Sequence, residues 1–161
     1  MTQKHPIPPL YDAASQVLVL GSFPSVKSRE GMFFYHHPQN RFWRVIAGVY
    51  GSPVPETIDQ KRALLLANGV AVWDVIASCE IEGSSDASIR AVVPTNLTPI
   101  LRAAPIRRIY CNGSTAWKLY QKHQLPLTGI PAVQLPSTSP ANAAWKLPAL
   151  LDAWSVIRGG S

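Results

Sequence analysis

Cysteines, acidic side chains and long apolar runs are all scarce in this chain of 161 residues. The two cysteines, Cys79 and Cys111, have neither the number nor the spacing of a disulfide framework or a zinc site. Both follow apolar residues, which points to buried free thiols and a reducing, cytoplasmic setting. No stretch approaches the ~18 apolar residues that span a bilayer, so no membrane helix is expected. The first residues, MTQKHPIPPLYDAA, have no continuous apolar core behind their charge, so they are not read as a signal peptide. Several catalytic signatures are missing too. No GxxxxGKS or GxxxxGKT loop cradles a phosphate, and Gly21-Ser22-Phe23-Pro24 is no dinucleotide fingerprint. The GxSxG elbow of a serine hydrolase is absent. His36 and His37 are adjacent in a loop and point apart, and no HxxxH or nearby cysteine completes a metal site. Neither metal nor cofactor is expected.

Acids number nine against 15 Lys and Arg, a net charge of +6. Lys27, Arg29, Arg41 and Arg44 cluster in sequence around one acid, Glu30. Such a patch suits a polyanion, whose neutralised phosphates release counterions, or it is only the surface of an ordinary basic protein. Apolar residues make up 47% and charged residues 15%, the balance of a globular chain, and the length fits one domain over 1–161. Residues 1–15 hold Pro6, Pro8 and Pro9 and are expected to run extended over the surface.

Short β-branched runs at Val17–Leu20, Gly69–Val75, Arg107–Cys111 and Pro131–Leu135 read as buried strands. Helical spacing appears at Arg41–Tyr50, Thr57–Asn68, Asn96–Ala104, Gly113–His123 and Ala141–Val156, the last with Trp145, Leu147, Leu150, Leu151 and Trp154 on one side. Residues 80–95 read as a polar, ordered excursion. The alternation predicts an α/β, three-layer sandwich with a central, mostly parallel four-stranded sheet flanked by helices. Ligands of such sheets bind beyond the carboxyl ends of the strands. Just past those ends stand Gly21-Ser22-Phe23-Pro24-Ser25, Asp74, Asn112-Gly113-Ser114 and Pro136-Ser137-Thr138-Ser139.

Each candidate has two readings. Asn40 is a helix N-cap, or its amide oxygen holds a water for attack. Tyr35, in a loop before Pro38, packs or stacks on a planar heterocycle, whereas Phe42 and Trp43 lie on a helix face and read as core. Asp74 caps a turn or reads a ring edge. Ser137-Thr138-Ser139 is a turn, or a phosphate seat leading into the last helix.

The segment GSFPSVKSREGMFFYHHPQNRFWRV resembles the first signature of the uracil-DNA glycosylase superfamily. It is most similar to the hypoxanthine (deoxyinosine)-DNA glycosylase branch. GVAVWDVIASCEIEGSSDASIR at 69–90, YCNGSTA at 110–116 and LPSTSPANA at 135–143 support the likeness in the expected order, and HPQNRFW is shared with the mismatch-specific uracil branch. The resemblance implies a monofunctional glycosylase that flips a damaged base out of DNA and hydrolyses its N-glycosidic bond; a monomer is expected. It implies catalytic roles for Asn40 and Asn112, and a base pocket of Ser22, Phe23, Tyr35 and Asp74. It also implies that LPSTSP presses the DNA backbone, and DNA contacts are expected at Ser25, Lys27, Ser28, Ser137, Thr138 and Ser139. Three departures stand out. The uracil branches carry Asp or Asn where Phe23 stands, Leu135-Pro136 replace their closing His-Pro, and no bulky wedge follows Ser139. Excision of uracil, xanthine or alkylated bases, or a catalytically silent nucleic-acid-binding module, are the alternatives.

Overall fold

A computed structural model describes residues 2–159; Met1, Gly160 and Ser161, which the single-domain expectation over 1–161 includes, lie outside the described residues. The chain runs β1 (Thr2–Lys4), β2 (Val17–Gly21), α1 (Val26–Gly31), α2 (Phe42–Tyr50), α3 (Ile58–Ala67), β3 (Val70–Asp74) and β4 (Ile76–Glu80). It continues through β5 (Arg90–Pro94), α4 (Thr98–Ala103), β6 (Arg108–Asn112), α5 (Ser114–Leu119), α6 (Leu125–Thr128), β7 (Ala132–Leu135), α7 (Leu147–Trp154) and α8 (Val156–Gly159).

Side-chain alternation along β2 generates the layers. Val17 and Val19 face one core with Val70, Val72 and Tyr110, closed by α2, α3 and α7. Leu18 and Leu20 face a second core with Ala71, Ile109 and Cys111, closed by β4, α4 and α5. Leu18, Val19 and Leu20 are all 0% exposed, and burial of each contributes roughly 1.5–3 kcal/mol. The four-stranded sheet has the order β3-β2-β6-β7, and each pairing is parallel. The three-layer α/β expectation holds.

A second, antiparallel sheet, β1-β4-β5, was not foreseen. Its presence corrects the reading of residues 1–15. Thr2–Lys4 pairs with Ser78–Glu80, and Leu10 exchanges backbone hydrogen bonds with Val72 at 3.0 and 2.9 Å. Ile7 and Leu10 are buried, so the segment is extended but enters the core between its prolines. The loop after β2 contains α1, with Ser25 as its cap. The helix predicted over Gly113–His123 continues past His123 through a wider turn at Tyr120–Gln124 into α6. The closing helix is shorter than expected. It starts at Leu147 with Pro148 in its first turn, and Lys146 is still extended, so Trp145 lies outside the helix and is 40% exposed. No helix among the described residues is long and apolar enough to cross a membrane.

Candidate active site

β2 is flanked by β3 on one side and β6 on the other, so the chain's direction of winding reverses between β2 and β6. At such a switch point the loops leaving the two strands part and open a crevice. Here it is a cleft of about 550 Å³, lined among others by Gly21, Ser22, Phe23, Tyr35, Asn40, Asp74, Asn112 and Ser137–Ser139. That volume lies in the range of small-molecule sites.

A hydrogen-bond chain fixes two amides at its floor. Asn40 Oδ1 accepts from the Phe42 backbone N–H at 2.9 Å and from Thr138 Oγ at 2.8 Å. Thr138 Oγ in turn accepts from Asn112 Nδ2 at 3.0 Å, and Asn112 Oδ1 accepts from the Thr138 backbone N–H at 3.0 Å. Every proton in this chain has one direction, because the two backbone N–H groups can only donate. Asn40 stands one residue before the cap position, which Arg41 occupies, and binds the N–H of the first helical residue while facing the cleft. The expectation that its amide oxygen holds a water is not met, since both lone pairs are taken. What Asn40 offers is Nδ2, which donates to nothing among the described residues. The site presents amide donors, suited to a water oxygen or to negative charge on a leaving group.

Thr138 corrects another expectation. It is 0% exposed and joins Asn40 to Asn112, so it does not lie where DNA can touch it. The glycine after Asn112 serves the same junction. Gly113 has φ +97°, and a Cβ there would stand 3.2 Å from the Ser137 Cβ.

On the other wall Asp74 ends β3, directly beside Gly21 in the sheet register. Its Oδ2 accepts from His5 Nε2 at 2.7 Å, both side chains being nearly inaccessible. Gly21 is needed for space, since a methyl group there would run into Asp74 Oδ1 and stand 3.0 Å from the Tyr35 hydroxyl. Tyr35 itself has φ 51°, a left-handed backbone uncommon for a non-glycine residue. One face of its ring stacks on Phe42 at 3.9 Å, leaving only the opposite face for a base. Its hydroxyl oxygen is buried without a partner. Burial first, then the Asp74 charge, pushes this phenol far above its ordinary pKa, against a smaller opposing effect of the Asn112 amide. It is a neutral donor. Phe23, the departure from the uracil branches, is buried, its ring centroid 5.8 Å from that of His5 in an edge-on arrangement.

The remaining candidates divide. Ser22 Oγ donates to Asp86 Oδ1 at 2.9 Å. Asp86 sits on an exposed turn at the cleft rim, yet desolvation of its carboxyl raises the pKa, the Ser22 bond lowers it and the Asp74 charge adds a smaller rise. Ser25 Oγ accepts from the Ser28 backbone N–H at 3.2 Å and caps α1. Ser28 is 1% exposed and its Oγ accepts from the His36 backbone N–H at 3.0 Å. Its expected contact with DNA gives way to a role in shaping the loop. Ser137 and Ser139 are half-buried and line the cleft, but no helix starts at Ala141 to add an N-terminal seat.

The cations divide as well. Arg41 is turned inward to the closing loop, donating to the carbonyls of Thr138 (3.4 Å), Ser139 (2.8 Å), Asn142 (3.1 Å) and Trp145. Arg29 donates to the Gly83 carbonyl at 2.9 Å and lies over the Phe23 ring. Lys27 and Arg44 remain exposed. His37 Nδ1 accepts from the Gln39 N–H at 3.1 Å, while His36 packs against Gly31, so the paired histidines are engaged separately.

Sequence reading overlooked His5, Asp86 and the bridging role of Thr138. His5 lies 69 residues from its partner Asp74, and nothing local in KHPIPPL announces that contact. Asp86 carried a weak signal, a lone acid in the GSSDAS turn.

Residues 8–158 match the family model described as the uracil DNA glycosylase superfamily. The chain is 30% identical over 141 residues to a protein of Methanosarcina acetivorans named hypoxanthine DNA glycosylase, covering 86% of this chain and 88% of that one. A Methanosarcina barkeri protein of the same name is 33% identical over 89 residues, 55% of this chain and 56% of its relative. A solution NMR structure of a candidate uracil DNA glycosylase from Methanosarcina acetivorans superposes with a TM-score of 0.83 at 29% identity, covering 98% of both chains.

Proposed function

The chain belongs to the uracil DNA glycosylase superfamily, and we propose that it is a monofunctional glycosylase excising deaminated bases from DNA, hypoxanthine first among them. The observation carrying this reading is the locked Asn40–Thr138–Asn112 chain, which presents amide donors in a base-sized cleft. In hydrolysis the C1′–N9 bond breaks with its electron pair leaving on the purine. Water oxygen bonds to C1′, and its surplus proton passes to solvent or to the departing base. The sugar is oxocarbenium-like at the transition state, so a weakly assisted water suffices. The heavier demand is stabilisation of the leaving anion. Asn40 Nδ2 and the second N–H of Asn112 Nδ2 serve that demand, or orient the water through its oxygen. Asp74 reads the base edge, Ser22 and Phe23 wall the pocket, and the free face of Tyr35 receives the base.

Oligonucleotides carrying hypoxanthine, xanthine, uracil or an alkylated purine, incubated with the protein and then treated with alkali, test the assignment. The expected result is abasic-site formation with hypoxanthine fastest. No alkali-labile site with any lesion, alongside salt-dependent DNA binding, would instead make the protein a silent binding module. Among the described residues no lysine lines the cleft, so strand scission without alkali is not expected.

We assign DNA contacts to Ser25, Lys27, Ser137 and Ser139. Lys27 is held only loosely, 3.9 Å from Glu30, with its side chain 59% exposed. Lys27→Ala is expected to weaken binding to all sequences alike and to lower the slope of log K against log salt by about one. A slope equal to the wild type's removes Lys27 from the interface. A monomer is part of the proposal. The buried free thiols of Cys79 and Cys111 fit the cytoplasm.

A further inference from the structure

His5 lies behind Asp74 and Phe23 and has no part in the reaction just described. The Ile7 backbone N–H donates to His5 Nδ1 at 3.1 Å, so that nitrogen must carry a lone pair. The proton of the neutral imidazole is then on Nε2, which donates to Asp74 Oδ2 at 2.7 Å. Phe23, Phe34 and Trp73 surround the ring, with centroids at 5.8, 6.3 and 5.9 Å. The segment is pinned from both ends, by His5 N–H to the Ala77 carbonyl at 2.8 Å and by Trp73 Nε1 to the Ile7 carbonyl at 3.0 Å. Together these contacts fix one tautomer and one orientation. Their single outlet is the Asp74 carboxylate, whose other oxygen, Oδ1, receives no hydrogen bond among the described residues and shares the space over Gly21 with the unpartnered Tyr35 hydroxyl.

We infer that His5 is a positioning residue that aims Asp74 Oδ1, beside the Tyr35 O–H, at the N–H and adjoining C=O of a lactam ring edge. The arrangement thereby selects deaminated bases over their amino parents. The inference rests on the glycosylase reading above and names the chemistry its pocket recognises. Deamination of adenine replaces an N1 lone pair and an exocyclic amino group by N1–H and O6. An ionised carboxylate can accept from N1–H but meets only a lone pair at N1 of adenine. A neutral phenol can donate to O6, and by turning its O–H away it can also accept from an amino group. The discrimination therefore rests on the carboxylate, which can only accept, with the phenol adding a bond to O6. Uracil differs from cytosine in the same way at N3 and O4. Guanine and thymine also carry lactam edges, so their exclusion falls to shape and base pairing.

The Phe23 departure acquires a reason here. An aromatic ring at that position closes the cage around His5, keeping water from the Nε2–H···Oδ2 bond. Exposed to solvent, that bond would hold the carboxylate far less firmly.

Excision of hypoxanthine and of unsubstituted purine, which lacks both N1–H and O6, is compared in single-turnover reactions for wild type, Asp74→Asn, His5→Phe and His5→Gln, with melting temperatures measured alongside. Intrinsic lability of the two glycosidic bonds is the same for every variant, so a change in the ratio of rates reports recognition alone. In Asp74→Asn, His5 holds the amide oxygen and the NH₂ group turns to the base, so the ratio is expected to fall at least ~100-fold. His5→Phe fills the cage without the donor and is expected to lower the ratio roughly 10-fold, and His5→Gln, which restores an N–H, to recover most of it. A purely structural role for His5 would lower both rates equally, in step with the melting temperature, and would overturn the inference. Should His5→Phe fail to fold, the Asp74→Asn ratio and the partial recovery in His5→Gln decide. Hypoxanthine excised with an unchanged ratio in Asp74→Asn overturns this inference and leaves the glycosylase reading standing. No excision of any lesion by the wild type overturns both.

Discussion

Replacing Asn40 with alanine is expected to lower single-turnover excision of hypoxanthine at least ~100-fold, about 2.7 kcal/mol of transition-state stabilisation. The same change removes the acceptor for the N–H of Phe42, the first residue of α2, a hydrogen bond worth about 1 kcal/mol of stability. Asn40→Ala alone therefore mixes two effects. Asn40→Asp separates them. A carboxylate keeps an oxygen for Phe42 and Thr138, so the melting temperature should stay close to wild type. The group facing the cleft, however, becomes an acceptor where Nδ2 was a donor. If catalysis depends on donation to the leaving base or to the water oxygen, Asn40→Asp is as inactive as Asn40→Ala. An Asn40→Asp protein that kept or exceeded wild-type activity would show that an acceptor was wanted, and the donor assignment would be abandoned. Near-normal excision by Asn40→Ala would remove the residue from the chemistry altogether.

The second large effect is expected at Thr138, a residue that the sequence reading placed on the DNA. Thr138→Val preserves shape and removes the hydroxyl, leaving Asn112 Nδ2 and one lone pair of Asn40 Oδ1 unpaired in a partly buried setting. Each lost pairing of this kind costs about 1–3 kcal/mol, so measurable destabilisation is expected. Both amides are also freed to rotate, and excision should fall roughly 10- to 100-fold by misplacement alone. DNA affinity and its salt slope should not change, because Thr138 is wholly covered. Thr138→Ser restores the hydroxyl and should restore most of the rate. If Thr138→Val instead weakened DNA binding while single-turnover excision at saturating protein stayed normal, the hydroxyl would belong to the interface and not to the relay.

The two experiments test one structural statement, that Asn40 and Asn112 act as a coupled pair. Residues sharing a hydrogen-bond chain give non-additive effects. A Thr138→Val, Asn40→Ala double variant should thus be little slower than Asn40→Ala alone.

What the sequence determined by itself is what depends on near neighbours along the chain. Val17–Leu20 had to be a buried strand because four consecutive apolar residues, two of them β-branched, can satisfy both faces of a central parallel sheet. Helical spacing in FWRVIAGVY had to give α2, and strand-helix alternation then forced Gly21, Asp74 and Asn112 onto one edge. Tertiary structure alone decided what depends on chain segments far apart. His5 reaches Asp74 across 69 residues, and Thr138 reaches Asn40 across 98. No local pattern encodes either contact, because a hydroxyl in LPSTSP or an imidazole in KHPIPPL has the same propensities whether it meets solvent, phosphate or a buried amide. Burial settles the matter, since a polar group removed from water must find a partner, and the fold determines which one it can reach.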